Sequence, residues 1–403
     1  MKYDFETEID RHGMDALAVD HIEFMQKQGI HEGFDFIPMW VADMNFPVAA
    51  SIQDEIIKRA RHPCFGYFEP SDAYYRAIET WHTRHKGVND ITKEVIGYEN
   101  GVLGGVISAL KVFAAAGDAV LLHSPTYLGF THSIESNGYH IVHSPLVKDE
   151  SGVWRMDYED MDRKIKENHI HVCVMCNPHN PCGRVWTREE LEKAMAVFEA
   201  NDVWVISDEI WSDLMMNGHT YTPLQSVNAW SHDHTIAFYA PSKTFNLAGL
   251  VGSYHIIYNK AVRERVEAIG AKTIYNAMNV LSMHALIGAY SEEGENWLQQ
   301  LLEVLSDNVT YASAYAKEHF QGVDVFEPEG TYMLFLDCRR WLEAHHMDSR
   351  ALVEKGWSYG IGWQDGAQFQ APGFIRLNLA SPHHVIQKAF RRMEQYVFMS
   401  EDH

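Results

Sequence analysis

The sequence predicts an α/β protein: a large domain with a mostly parallel sheet flanked by helices, followed by a smaller α+β domain. Three observations predict this class. Short apolar runs without polar alternation recur along the chain, segments of helical period lie between them, and after about residue 260 the rhythm changes to long helices with two late strands. Strand–helix–strand repetition implies parallel pairing, because parallel neighbours need a crossover.

In chain order, the segment 1–45 has no strand–helix rhythm and is expected to pack on the smaller domain or on a partner subunit. A large domain is expected over 46–285. Its strands are Ala119–Leu122, Ile141–Val142, Val172–Cys176, Val203–Ile206, Ile236–Tyr239 and Tyr254–Ile257, with helices over Val102–Ala116, Met156–Asn168 and Glu189–Ala200. Helical stretches Ala261–Gly270, Ile274–Tyr290 and Trp297–Phe320 follow, a long helix being the expected joint. A small domain over 286–403 adds strands Thr331–Leu336 and Phe374–Leu379 and a last helix from His383.

Composition removes several function classes. Hydrophobic residues at 46% and charged residues at 22% exclude a disordered or fibrous chain. A formal charge of −22, from 33 Lys+Arg against 55 Asp+Glu, disfavours nucleic acid and anionic membranes as partners. No apolar run approaches the roughly 20 residues that span a bilayer. The opening MKYDFETEIDRHGMD is acidic where a secretory leader is apolar. The five cysteines (Cys64, Cys173, Cys176, Cys182, Cys338) suit free thiols in a cytoplasmic protein, Cys173 and Cys176 lying inside a strand run. No metal site is expected, since neither His169/His171 nor the other histidines have a ligand spacing.

In an open parallel sheet, ligands bind beyond the carboxyl ends of the strands. Four successive runs lead there into Ser124-Pro-Thr-Tyr127, Asn177-Pro-His-Asn-Pro-Cys-Gly183, Asp208-Glu-Ile-Trp211 and Ala240-Pro-Ser-Lys-Thr-Phe-Asn246. An aromatic, an amide, a carboxylate and a lysine thus converge on one edge. Lys243, followed by Phe245 and Leu247-Ala-Gly249, is poorly solvated, which lowers an amine's pKa and makes it a nucleophile for carbonyls. Taken alone it also reads as a snorkelling surface lysine, and Asp208 as a helix cap or turn residue. Together they favour pyridoxal phosphate, whose ring nitrogen a buried carboxylate keeps protonated.

Glu99-Asn-Gly-Val-Leu-Gly-Gly105 opens a helix whose free amides and dipole suit a phosphate, or it is a plain helix start. Ser242 offers a hydroxyl to the same anion. Tyr127 either stacks on the cofactor ring or packs in the core. In Phe374-Ile-Arg-Leu-Asn-Leu379, alternation puts Arg376 and Asn378 on one face. The Arg376 guanidinium can take a substrate α-carboxylate or form a structural ion pair.

Asn-Pro-His-Asn-Pro-x-Gly, Ser-Asp-Glu-Ile, Ala-Pro-Ser-Lys-Thr-Phe-Asn-x-Ala-Gly and Arg-Leu-Asn-Leu-Ala, in this order, resemble the class I/II aminotransferases, pyridoxal-phosphate enzymes of fold type I. Trp40-Val-Ala-Asp-Met-Asn-Phe46, Phe65-Gly-Tyr67, Trp81-His-Thr-Arg-His85 and Gly183-Arg-Val-Trp186 are similar to the C–S lyase branch, the cystathionine β-lyases and cystalysin-type desulfhydrases. The resemblance runs from Tyr3-Asp-Phe5 to the last helix. It implies a transferase-like large domain and the following roles. Lys243 binds the cofactor aldehyde and then acts as base at Cα, and Asp208 pairs with the ring nitrogen. Asn180 hydrogen-bonds the ring oxygen and helps hold substrate, Trp211 stands near that oxygen, and Tyr127 stacks on the ring. The amides of Val102 and Leu103, with Ser242, hold the phosphate. Tyr67 reaches in from the neighbouring subunit of a homodimer, Arg376 binds the substrate carboxylate, and the Ala42 loop shapes the pocket.

Three positions depart from the family pattern. Trp211 stands where aminotransferases carry Tyr and the lyases His, and Leu128 stands where the lyases often have a second aromatic. Val251 replaces a phosphate-binding Arg of many aminotransferases, which favours the lyase branch. The implied reaction is β-elimination of cystathionine or a related cysteine S-conjugate to thiol, pyruvate and ammonia. An L-amino-acid aminotransferase is the alternative, and a regulatory protein on a borrowed enzyme fold is a third.

Overall fold

The structure is a computed structural model that describes residues 2–20, 22–23, 28–274 and 276–399. The chain forms two compact units: Val48–Asn180 with Arg184–Gln299, and Met1–Pro47 with Pro181–Gly183 and Gln300–His403.

Among the described residues, the larger unit is built on a seven-stranded sheet in the order Ile96–Glu99, Ser253–Ile256, Thr235–Tyr239, Trp204–Asp208, Val172–Cys176, Ala119–Ser124, His140–Pro145. Ser253–Ile256 runs antiparallel to both neighbours, and the other pairs are parallel. Every residue of Val172–Cys176 and Thr235–Tyr239 is buried, which explains why these strands read as unbroken apolar runs. His140–Pro145 lies at the edge and is half exposed, so its sequence carries His and Ser. Register aligns Cys176 with Asp208, and Asp208 with Phe238, so these strands end level.

Val106 and Leu110 of the helix Val102–Phe113 pack with Val120, Leu122, Val174, Ile206, Ile236 and Phe238 into one apolar cluster. Burial of each large aliphatic or aromatic side chain contributes about 1.5–3 kcal/mol. The helix Val280–Ala289 begins later than the apolar pattern suggests. Asn279 Oδ1 accepts from the Leu281 amide at 2.8 Å and so caps the helix there, after a π-turn over Gly270–Ile274. Tyr275, within the expected helix, lies outside the described residues.

The smaller unit holds a four-stranded antiparallel sheet in the order Asp324–Val325, Met333–Asp337, Phe374–Asn378, Gln364–Asp365. The helix His383–Met393 buries Val385, Ile386, Ala389, Phe390 and Met393, a helical stripe. Ile37–Pro38 pairs in parallel with Ile361–Gly362, and Asp35 is paired with Lys388 at 2.6 Å and Arg392 at 2.5 Å.

Candidate active site

In the larger unit the helix Val102–Phe113 starts after Gly101, whose φ of 84° is a region glycine enters without a Cβ clash. An α-helix cannot satisfy its own first amides, so Val102 and Leu103 present N–H groups at the positive end of the dipole. A Cβ at Gly104 would meet nothing within 4 Å, whereas one at Gly105 would lie 2.3 Å from the Phe238 ring. Gly105 thus lets the helix sit directly on the sheet, while Gly104 leaves the turn open to an anion. Tyr127 precedes the helix Leu128–Ser136, and its ring meets Phe130 edge-on at 5.5 Å. A Cβ at Gly129 would lie 2.4 Å from the Tyr127 ring and 3.0 Å from Leu103 Cδ1, so this glycine brings Tyr127 close to the phosphate-type turn.

Asn180 is buried in the turn after Val172–Cys176. That turn is pinned by the Asn177 amide donating to the Asp208 carbonyl at 3.0 Å and the His179 amide donating to the Arg184 carbonyl at 2.7 Å. Asp208 ends its strand 5% exposed, and its Oδ1 accepts from the Ile210 amide at 3.0 Å. Burial pushes its carboxyl up to about 7, against the opposing pull of the Ile210 amide and the Lys243 ammonium. The Lys243 charge therefore reaches the Asp208 carboxyl. Glu209 is also buried and also pushed up by burial, to about 7, but it is satisfied elsewhere, accepting from Ser207 Oγ and Tyr239 Oη at 2.8 Å each.

Lys243 and Ser242 sit half-buried in a tight turn closed by Phe245 N to Pro241 O at 2.8 Å and Leu247 N to Ser242 O at 3.0 Å. The Lys243 ammonium lies 5.7 Å from the centroid of Trp211, an indole 1% exposed. Thr244 Oγ1 donates to Asp213 Oδ2 at 3.0 Å, and Phe245 is buried against Trp81 and Trp297. Asp213 in turn pairs with Lys86 at 2.5 Å and accepts from Trp81 Nε1 at 3.1 Å, both charged side chains being almost fully buried. Sequence reading missed this support beneath the lysine, because Lys86, Asp213 and Thr244 are far apart in the chain and no local pattern links them.

Tyr67 takes no part in this cluster within the chain: it is fully exposed, beside the exposed Phe65. Val251 is exposed and holds a φ of 48°, an outlier for a β-branched residue.

In the smaller unit Arg376 and Asn378 share one face, as alternation predicts. Arg376 Nη2 donates to the Trp40 carbonyl at 3.2 Å and to Gln364 Oε1, and its guanidinium lies over Phe369 at 4.6 Å. Asn378 Nδ2 donates to the Val41 and Asp43 carbonyls at 2.6 Å each, and Tyr332 Oη donates to the Ala42 carbonyl at 3.1 Å. The loop carrying Ala42 is thereby fixed to the strand carrying Arg376.

The model of the family described as aminotransferase class I and II matches residues 41–393. Cystathionine β-lyase PatB of Bacillus subtilis (strain 168) is 33% identical over 367 residues, which is 89% of this chain and 92% of that protein. Cystalysin of Treponema denticola, a structure containing pyridoxal 5′-phosphate, superposes with a TM-score of 0.90 at 30% identity over 98% of this chain and 99% of its own. The pyridoxal-phosphate-bound C–S lyase of Staphylococcus hominis gives 0.89 at 29% identity over 99% of both chains. The turn, the buried acid and the lysine lie within the matched span, and this chain belongs to the class I and II aminotransferase family.

Proposed function

We propose that the protein is a pyridoxal-phosphate-dependent C–S lyase that eliminates thiol from cystathionine or a related cysteine S-conjugate, leaving pyruvate and ammonia. The observation that carries this reading is the Asp208–Lys243 pair at the carboxyl ends of the strands, in a chain similar over 89% of its length to a cystathionine β-lyase, over 99% to a C–S lyase and over 98% to cystalysin. The residues fit the cofactor. A carboxylate pushed to about 7 by burial is stabilised by a cationic ring nitrogen, and the open turn after Gly101 suits a phosphate. When bound, this cofactor supplies an electron sink that labilises the substrate Cα proton.

The chain's own groups have these roles in the proposal. Lys243 Nζ would hold the cofactor aldehyde and, as a free amine, would take the proton from substrate Cα. Asp208 holds a proton on the ring nitrogen by its charge. Asn180 and the Trp211 indole would hold the ring oxygen, and Tyr127 would stack on the ring. Val102, Leu103 and Ser242 hold the phosphate. Arg376 takes the substrate α-carboxylate, and the Ala42 loop orients the substrate. Tyr67, fully exposed in the single chain, serves the site of a partner copy in a homodimer. No described helix is long and apolar enough to cross a membrane. The net charge of −22 and the free thiols fit a cytoplasmic location.

The test is incubation of the holoenzyme with cystathionine and no added keto acid. Stoichiometric pyruvate and free thiol are expected. Turnover that requires a keto-acid acceptor would identify an aminotransferase instead.

A further inference from the structure

Another buried carboxylate lies directly behind the turn that opens the helix Val102–Phe113. Glu99, 1% exposed, is the last residue of the strand before Asn100-Gly101-Val102. Its Oε1 is 2.8 Å from His255 Nδ1, and its Oε2 accepts from Asn276 Nδ2 at 2.5 Å. The same Asn276 accepts the Asn100 amide on its Oδ1 at 2.8 Å and donates to the Tyr98 carbonyl at 3.2 Å. The Glu99 carbonyl accepts from the Gly101 amide at 2.9 Å and from Ser253 Oγ at 3.1 Å. The Tyr98 carbonyl and the Asn100 amide are therefore both tied to the Asn276 side chain, and the Glu99 carbonyl between them to Ser253 and the Gly101 amide.

Two glycines make room for it. A Cβ on Gly97 would lie 2.1 Å from His255 Nε2, and one on Gly105 would lie 3.1 Å from Glu99 Cγ. The Glu99 side chain thus runs under the first turn of the helix Val102–Phe113. His255, 1% exposed, makes no hydrogen bond through Nε2 among the described residues, and Glu267 Oε1 is 4.0 Å away. A buried carboxylate and imidazole cost several kcal/mol to desolvate, and an apolar filling would be cheaper. Core stability alone gives no reason for them here.

We propose that Glu99, His255 and Asn276 form a positioning bracket for the phosphate-binding turn: they fix the backbone of Asn100–Leu103 so that its amides converge on the anion, without touching it. This rests on the functional reading above. Preorganised amides bind an anion without an ordering cost at the moment of binding, so loosening them lowers affinity for the phosphate end alone.

The experiment compares holoenzymes of the wild type, Asn276→Ala, Glu99→Gln and Asn276→Gln, each loaded with pyridoxal phosphate or with pyridoxal, which lacks the phosphate. Cofactor release on dilution is followed by absorbance, and the bound phosphate by its ³¹P resonance. Asn276→Ala and Glu99→Gln are expected to release pyridoxal phosphate about tenfold faster, the loss of one hydrogen bond to a charged group. Their ³¹P line shifts or broadens, and their release of pyridoxal is unchanged. Asn276→Gln, which keeps both amide functions, recovers part of the difference. Equal acceleration for both cofactor forms, or no acceleration, with wild type retaining pyridoxal phosphate, would overturn the bracket alone. A wild type that retains no pyridoxal phosphate would overturn the functional reading and the bracket with it.

Discussion

Thr244, the residue after Lys243, donates its hydroxyl to Asp213 at 3.0 Å, and Asp213 pairs with Lys86 at 2.5 Å in a nearly dry setting. The lysine turn is thus anchored to a buried charge pair. Burial works against the Asp213 carboxylate, but Lys86 and the donors Trp81 and Thr244 outweigh it and hold its pKa below the ordinary value. Removing one partner of such a pair leaves a buried charge uncompensated, which costs about 3–5 kcal/mol. Lys86→Met is expected to lower unfolding stability by about that amount in urea titration, and Thr244→Val by about 1 kcal/mol. A change within 0.5 kcal/mol of zero for Lys86→Met would show that the pair is not a support.

Asp208 and Glu209 predict an unusual pH response of the cofactor-free protein. Both are pushed by burial to about 7, whereas an unfolded carboxylate titrates near 4. Between about pH 4 and about pH 7 the folded chain keeps protons that the unfolded chain has lost. Each group therefore makes stability fall as pH rises, by at most about 1.4 kcal/mol per pH unit. Buried His123 and His179, lowered by burial to about 4 and about 3, contribute the opposite slope. The informative quantity is thus the difference between wild type and Asp208→Asn in urea midpoints across this window. The variant is expected to gain relative stability as pH rises, and a constant difference would contradict the assignment.

The sheet was legible because each central strand is buried on both faces, which forces an apolar run and makes the polar residues at its carboxyl end conspicuous. Asp208, Asn180 and Lys243 were singled out in that way, and all three lie at the carboxyl ends of these strands or in the turns that follow them. Ile96–Glu99 was not found: its Gly97 is demanded by the His255 ring, and its Glu99 by His255 and Asn276, partners that lie far along the chain. The antiparallel direction of Ser253–Ile256 was equally hidden, since strand direction leaves no mark on the side chains of a four-residue strand. Arg376 and Asn378 were placed on one face by alternation alone, but their shared grip on the Trp40–Asp43 loop required the tertiary structure.

Arg376→Lys retains charge but loses the planar fork. For a substrate with a free α-carboxylate, kcat/KM is expected to fall about tenfold to hundredfold, mostly through KM. The α-carboxamide analogue is expected to react equally slowly with both enzymes, because it offers no carboxylate to lose. Equal losses for acid and amide would remove Arg376 from carboxylate recognition.

Tyr67 and Lys243 belong to different subunits of one site in the proposed homodimer. Tyr67→Ala and Lys243→Ala, each purified alone, are expected to be weakly active and inactive. Co-expressed and separated as hybrids carrying two different tags, they regain one intact site per dimer. Hybrid activity no greater than that of the single variants would show that Tyr67 serves its own chain or none.

Borohydride reduction of the holoenzyme followed by peptide mass mapping tests the central claim most directly. Reduction fixes the cofactor to whichever amine carries it. A single pyridoxyl adduct on Lys243, absent from Lys243→Ala together with the visible absorption band, is the predicted result; an adduct on another lysine, or none on the wild type, would contradict the account.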